Sequence, residues 1–411
     1  MTRELRDSGV GWLGDTPATW PVVPARALFG ERKQKSAASD VHLTPSQKYG
    51  VLPQAEYMEI TGNKVVLNLS GADNMRHVEA GDYVSHLRSF QGGLEFAGLP
   101  GKVSAAYTVL KPKVALESRF FKYLFKSDLY VQALQTTTDQ LRDGQSIRYG
   151  QFTLIPLPRP TLEEQRAIAD YLDRETAQID AFIAKNEELI TLLNERRLVE
   201  ISRAISGDWP EVQLRALSTV PIQNGVDAIG DPANPQEWPR YVRTTDIESL
   251  SSLDPDKRVT IAPDVAAASP LVKDDILLTR AGATIGKSYL HSSGEVASYA
   301  GYLVRVRPDR RRVLPWYLAY WTQSQEYLDQ IRSGAVISTI ENFSASKYRA
   351  LRVPLPTIDV QAEIVDRIRR SSADAHRAMA MATAAIELAR ERRAALISSA
   401  VTGKIEVGVW T

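Results

Sequence analysis

The chain contains no cysteine. That excludes a disulfide framework and any thiolate metal site, and it fits a reducing compartment. No apolar run approaches the length of a membrane span. The opening stretch, Met1 to Trp20, mixes charges with Gly, Pro and Trp and lacks the apolar core of a signal peptide. A cytoplasmic protein is therefore expected. Histidine is scarce: His42, His77, His86, His291 and His376 are scattered without metal-ligand spacing. No sign of charge dominates, since 50 Lys and Arg face 49 Asp and Glu for a net charge of +1. A basic excess lies in the first 160 residues, but phosphate binding depends on a local face rather than on the total.

Catalytic motifs are also missing. The run Gly282-Ala-Thr-Ile-Gly286-Lys287-Ser288 has three residues between its glycines, whereas a phosphate loop needs four. It reads as a tight turn with an exposed lysine. No Gly-x-Gly-x-x-Gly cofactor loop and no Pro-Pro-Tyr methyltransferase motif occurs, and Asn234-Pro235-Gln236-Glu237-Trp238 is no substitute. No spacing of carboxylates picks out an acid/base pair. No catalytic residue, metal ligand or cofactor of this chain's own is expected.

What is present is an internal repeat. Shifted by 196 residues, Gln165–Gly207 overlays Gln361–Gly403 without a gap. Gln165 meets Gln361, Ile168 meets Ile364, Arg174 meets Arg370, and Glu195-Arg196-Arg197 meets Glu391-Arg392-Arg393. Ile155-Pro-Leu-Pro158 answers Val353-Pro-Leu-Pro356, and Trp20 to Leu28 answers Trp209 to Leu217. The order is domain, helix, domain, helix, over residues 1–158, 159–207, 208–356 and 357–411. Each repeat helix starts after a Pro-Leu-Pro stop. Thr161 with Glu163 and Glu164 supplies an N-cap and first-turn acids, Asp359 marks the second start, and Gly207 and Gly403 supply C-cap signals. Apolar residues at Ile168, Leu172, Ile179, Phe182, Leu189 and Leu193 make a coiled-coil seam. About 40 residues give a rod of roughly 60 Å. Met379, Met381 and several alanines fill the middle of the second rod, and its natural partner is the first, antiparallel about a pseudo-twofold axis.

The globular parts read as mixed α/β. Strands are expected at Tyr57–Ile60, Val65–Leu69, Tyr107–Leu110, Ile276–Thr279 and Tyr302–Val306, and helices at Arg119–Lys126 and Trp316–Gln330. Ala80–Val84 resembles Lys273–Leu277, Lys102–Ser104 resembles Glu295–Ala297, and Tyr123-Leu124 matches Tyr317-Leu318. Between these points the halves diverge, so a common scaffold carries different loops. The fold class is α+β: two α/β domains joined by two long helices in an antiparallel coiled coil.

Four loops mix cations with hydrogen-bonding side chains that can meet phosphates and base edges. The DNA-contact candidates in the first half are Arg88, Ser89, Gln91 and Gly92 in one loop, and Ser146 and Arg148 in the next. In the second half they are Thr279, Arg280, Thr284 and Lys287, then Ser338, Thr339 and Asn342.

At these residues the chain resembles the specificity subunit of type I restriction–modification systems. The likeness rests on Ser8-Gly-Val-Gly-Trp12-Leu-Gly14-Asp-Thr-Pro17-Ala-Thr-Trp20, on Leu87-Arg-Ser-Phe-Gln-Gly-Gly93, and on Asp275 to Lys287. Most specific is Pro156-Leu-Pro158 with Glu163-Glu-Gln-Arg-Ala-Ile-Ala-Asp-Tyr-Leu-Asp173, echoed at Pro354-Leu-Pro356 and Gln361. The second rod departs by its alanines and its missing Glu-Glu-Gln. The resemblance implies two target-recognition domains, two central helices and a double-stranded DNA target in two separated halves. It further implies two modification subunits that carry S-adenosylmethionine and methylate adenine, and restriction subunits that use ATP and Mg. Unlike domains imply unlike half-sites. Two other readings stand beside this one: a catalytic methyltransferase or nuclease with fused recognition domains, and a dimerising scaffold that binds no DNA.

Overall fold

The structure is a computed structural model and describes residues 4–62, 74–85, 93–137, 147–335 and 342–407. The chain divides into two compact units, 1–185 with 384–411, and 186–383. Each long helix, Leu162–Ile205 and Ile358–Val401, contributes to both.

The two units are built alike. In the first, a four-stranded antiparallel sheet runs Phe29–Glu31, Val109–Pro112, Tyr83–Ser85, Leu94–Phe96. In the second, the same order appears as Gln223–Asn224, Leu303–Val306, Ile276–Thr279, Ser288–Leu290. The resemblance of Ala80–Val84 to Lys273–Leu277 has a physical basis. Asp82 and Asp275 are buried, and each accepts from the backbone N–H three residues earlier, Glu79 at 2.8 Å and Val272 at 2.9 Å. Each also takes a two-point arginine contact, from Arg32 and from Arg307. The residue before each is left-handed, Gly81 at φ 96° and Asp274 at φ 74°, a conformation that glycine and aspartate tolerate best. One core is aromatic: Phe29, Tyr83, Phe121, Phe125 and Tyr130 meet edge-on or tilted. In the second, Trp321, Tyr317, Tyr327 and Tyr348 are buried among aliphatic side chains.

The matched flanks become matched joints. Pro156–Pro158 pairs antiparallel with Val22–Pro24, and Arg352–Pro354 pairs with Glu211–Gln213. The long helix follows at once. Thr161 and Glu164 cap each other, with Glu164 N–H donating to Thr161 Oγ1 at 3.2 Å and Thr161 N–H to Glu164 Oε2 at 2.9 Å. The second helix ends on Gly403, left-handed at φ 75°, where Lys404 N–H returns to Ser399 O at 2.8 Å. Gly207 is not left-handed. Its role is a close approach, since a Cβ there would stand 2.3 Å from Trp209 Nε1.

Within each unit the two helices run antiparallel. In the first, Ile397, Ala400 and Val401 share a core with Ile168 and Leu172, and Arg393 bonds Asp180 at 2.8 Å. In the second, Ile364, Val365 and Ile368 share a core with Ile201, Ala204 and Ile205, and Arg367 donates to Ala204 O at 3.1 Å. Late residues of one helix thus meet early residues of the other. The seam is less continuous than expected. Ile168, Leu172 and Ile179 are buried, but Phe182 and Leu189 are 48% and 43% exposed. Along the second helix Ala382, Ile386 and Ala389 face inward, and Met381 faces out at 74% exposure.

Other expectations need correction. Tyr57–Ile60 lies in the helix Gln54–Thr61, which begins after Pro53 and stops at Gly62, φ 67°. Its apolar residues are too few and half-exposed to impose a strand, so the flanking Pro and Gly decide. Val65–Leu69 lies outside the described residues. Tyr107–Leu110 is a strand from Val109, and the helix at Trp316–Gln330 is two, Pro315–Trp321 and Gln325–Ala335. Buried Ser324 separates them: its hydroxyl donates to Trp321 O at 2.8 Å and accepts from Tyr327 N–H at 3.3 Å. Ser127 does the same between Ser118–Lys126 and Asp128–Thr136, through Leu124 O at 2.7 Å and Tyr130 N–H at 3.4 Å. This serine register makes Tyr123 the counterpart of Tyr320, one helical turn beyond the Tyr317 that dipeptide identity suggests.

Candidate nucleic-acid interface

The described residues of the candidate contact loops lie mainly in the second unit. Strand Ile276–Thr279 leads into a one-turn 3-10 helix, Gly282–Thr284, entered at Gly282 (φ 76°) and left through Gly286 (φ 84°). Gly286 N–H closes the loop on Thr279 O at 3.1 Å. Two buried tyrosines hold its base: Tyr327 donates to Gly286 O at 3.0 Å, and Tyr348 to Thr279 O at 2.7 Å. The loop thus stands on buried side chains that fix its base.

Two of the loops proposed from the sequence come together here. Ala281 bridges Asn342, Phe343 N–H donates to Arg280 O at 2.7 Å, and Arg280 Nε reaches Asn342 Oδ1 at 3.4 Å. Both side chains are partly exposed, and Thr284 is exposed beside them. A planar guanidinium next to a carboxamide is suited to base edges, Arg to guanine and Asn to adenine. Thr279 is 1% exposed and cannot face a ligand. Lys287 is not the exposed cation expected, because its ammonium folds inward and donates to Ile247 O at 2.6 Å. It braces the loop against the chain below. Ser338 and Thr339 lie outside the described residues, as do Arg88, Ser89, Gln91, Gly92 and Ser146. Arg148 is exposed at the start of Tyr149–Phe152, where its N–H donates to Gln151 Oε1 at 2.8 Å.

Sequence reasoning missed Tyr302, a neighbour of Arg280, and Arg243, which lies near Tyr302. Arg280 N–H donates to Tyr302 O at 3.1 Å, and the Tyr302 ring is 41% exposed. Burial pushes the Tyr302 hydroxyl above the usual phenol range, and nearby Tyr241 adds to this while the Arg243 guanidinium opposes it. Arg243 is held by the fully buried Asp246 and by Lys257 O at 2.9 Å. Arg243 follows the strand Arg240–Val242 and Tyr302 precedes the strand Leu303–Val306, so no spacing along the chain marks them. Among the described residues no group of His, Asp or Glu is arranged to hold a metal ion, and no helix is long and apolar enough to cross a membrane.

No family model matches the chain. Curated proteins do. It is 24% identical over 280 residues to the type I restriction enzyme StySPI specificity subunit of Salmonella potsdam, covering 64% of this chain and 60% of that protein. It is 26% identical over 285 residues to the EcoBI specificity subunit of Escherichia coli, covering 61% and 58%. The chain is similar to type I specificity subunits. It spans about three fifths of the length of these relatives. The fold agrees: a chain from a solved structure described as the structural basis of complex assembly and conformational transition of the type I R-M system superposes with a TM-score of 0.71. That match covers 95% of this chain and 99% of that one at 13% identity.

Proposed function

We propose that this chain is the sequence-specific DNA-binding specificity subunit of a type I restriction–modification complex. It reads an asymmetric target in two halves and positions the subunits that act on the DNA. The observation that carries this reading is the pairing of one scaffold with two sets of loops. The sheets and joints repeat from unit to unit, while the loop sequences between them do not. A protein that read one sequence twice would repeat its loops as well. The relatives named above support the same class.

In this reading Arg280, Thr284 and Asn342 contact one half-site with Ser338 and Thr339, and Arg88, Ser89, Gln91, Gly92 and Ser146 contact the other, with Arg148 on the sugar–phosphate backbone beside it. Thr279 and Lys287 support their loop from beneath. The chain is not itself an enzyme. Two modification subunits bring S-adenosylmethionine, and a restriction subunit brings ATP and Mg. Each mismatched base pair costs about 1–3 kcal/mol, so two short halves read together discriminate far better than one. The long helices set the spacer. Shortening both by about seven residues, two turns, and sequencing the methylome of cells that co-express the modification subunit is the test. The expected result is a changed spacer between two unchanged half-sites. An unchanged spacer with altered half-sites, or methylation indifferent to this chain, would refute the proposal.

A further inference from the structure

The turn that begins each four-stranded sheet carries an exposed arginine. In the first unit it is Arg26, in Ala25–Leu28; in the second it is Arg215, in Leu214–Leu217. The two are matched in the repeat, and their neighbours Leu28 and Leu217 are fully buried. The anchored turn therefore projects the arginine. Among the described residues neither guanidinium has a carboxylate partner.

A second cation sits on the carbonyls of the same turn. Lys113 Nζ donates to Arg26 O at 3.0 Å, and the Arg312 guanidinium donates to Ala216 O. Lys111 runs alongside Lys113: a Cβ at Gly30 would lie 3.4 Å from Lys113 Cδ and 3.9 Å from Lys111 Cε. A third cation comes from the short helix before each Pro-Leu-Pro strand. Arg148 opens Tyr149–Phe152, whose Tyr149 hydroxyl donates to Phe29 O at 3.0 Å. Exposed Arg349 belongs to Ala345–Ala350, which packs on the Leu214–Leu217 turn. The carboxylates nearby are engaged, Glu31 with Arg76 and Asp309 with Arg311.

Arg26 and Arg215 stand at matched positions of the repeated scaffold, and the other four cations come from elements that recur in both units though not at matched positions, whereas the loops with unlike sequence do not repeat. A ligand met by the scaffold must look the same to both units. The sugar–phosphate backbone is the part of a duplex that does. We infer that Arg26, Lys113 and Arg148 in one unit, and Arg215, Arg312 and Arg349 in the other, form paired phosphate clamps that grip DNA whatever its sequence. The inference rests on the DNA-reading function proposed above.

The test uses the full chain, alone and with its modification partner, binding several unrelated duplexes over a range of salt. Arg26, Arg148, Arg215 and Arg349 are replaced together by Gln, and in a second variant by Lys. The clamp predicts a shallower salt dependence, by about 0.9 in the log–log slope for each phosphate no longer neutralised, equally on every duplex and recovered by the Lys variant. A wild-type slope in the Gln variant overturns it. So does wild-type DNA binding by the Gln variant accompanied by loss of the modification partner, which would assign the cations to a protein interface. A wild-type chain that binds no duplex under either condition defeats the DNA-reading function itself.

Discussion

Gln165 and Gln361 explain at the scale of single residues why the helices repeat in register. Both are buried. Gln165 Oε1 accepts from Glu117 N–H at 2.9 Å and its amide donates to Pro160 O at 2.9 Å. Gln361 does the same with Leu314 N–H at 2.8 Å and Pro356 O at 2.9 Å, and adds Arg312 O at 3.1 Å. One side chain thus ties the start of a domain helix to the exit of the Pro-Leu-Pro strand. Glutamate could not donate to the carbonyls, and a shorter amide would not reach. Gln361→Ala strands a buried N–H and two carbonyls and leaves a void. A loss of about 2–4 kcal/mol is expected, read as a lower urea midpoint; a change below about 0.5 kcal/mol would contradict this role.

Between elements, each long helix is keyed to its own domain by different chemistry. In the first unit Asp173 accepts from Arg119 at 2.9 Å and from the Tyr123 hydroxyl at 2.7 Å, while Asp170 accepts from Arg119 at 2.7 Å. In the second, Arg369 replaces Asp173. Its guanidinium stands 5.0 Å from the centre of the Trp316 ring and beside Tyr320. Trp316 and Tyr320 are the counterparts of Arg119 and Tyr123. Asp173→Arg should therefore oppose two guanidinium groups, and adding Arg119→Trp should recreate the second unit's contact. Arg119 and Asp173 are each about two-fifths exposed, so screening holds the single-mutant cost near 1 kcal/mol. A double-mutant cycle on the unfolding of the first unit should give a favourable coupling of about 0.5–1 kcal/mol, and strict additivity would rule the key out.

For the whole molecule, the repeat, the helix limits and the joints were legible because each rests on local chemistry: proline stops, a capping box, a buried glutamine. The acidic turn was legible because Asp82 and Asp275 serve the same backbone and arginine partners. The candidate site was only partly legible, since Tyr302 reaches Arg280 from a distant part of the chain, and Lys287 binds a carbonyl inside. Polar loop residues have no period that tells an inward brace from an outward contact. The keyed helices then carry a consequence for the assembled protein. If residues 208–356 were replaced by a second copy of the first domain, Arg119 of that copy would meet Arg369. The duplicated chain should fold poorly, and support little methylation by the modification subunit in the proposed role, until Arg369→Asp restores an acceptor. With that change, and with the modification subunit co-expressed, methylome sequencing should report a target made of the same half-site twice. Retention of the original second half-site would show that specificity does not reside in the domain that was exchanged.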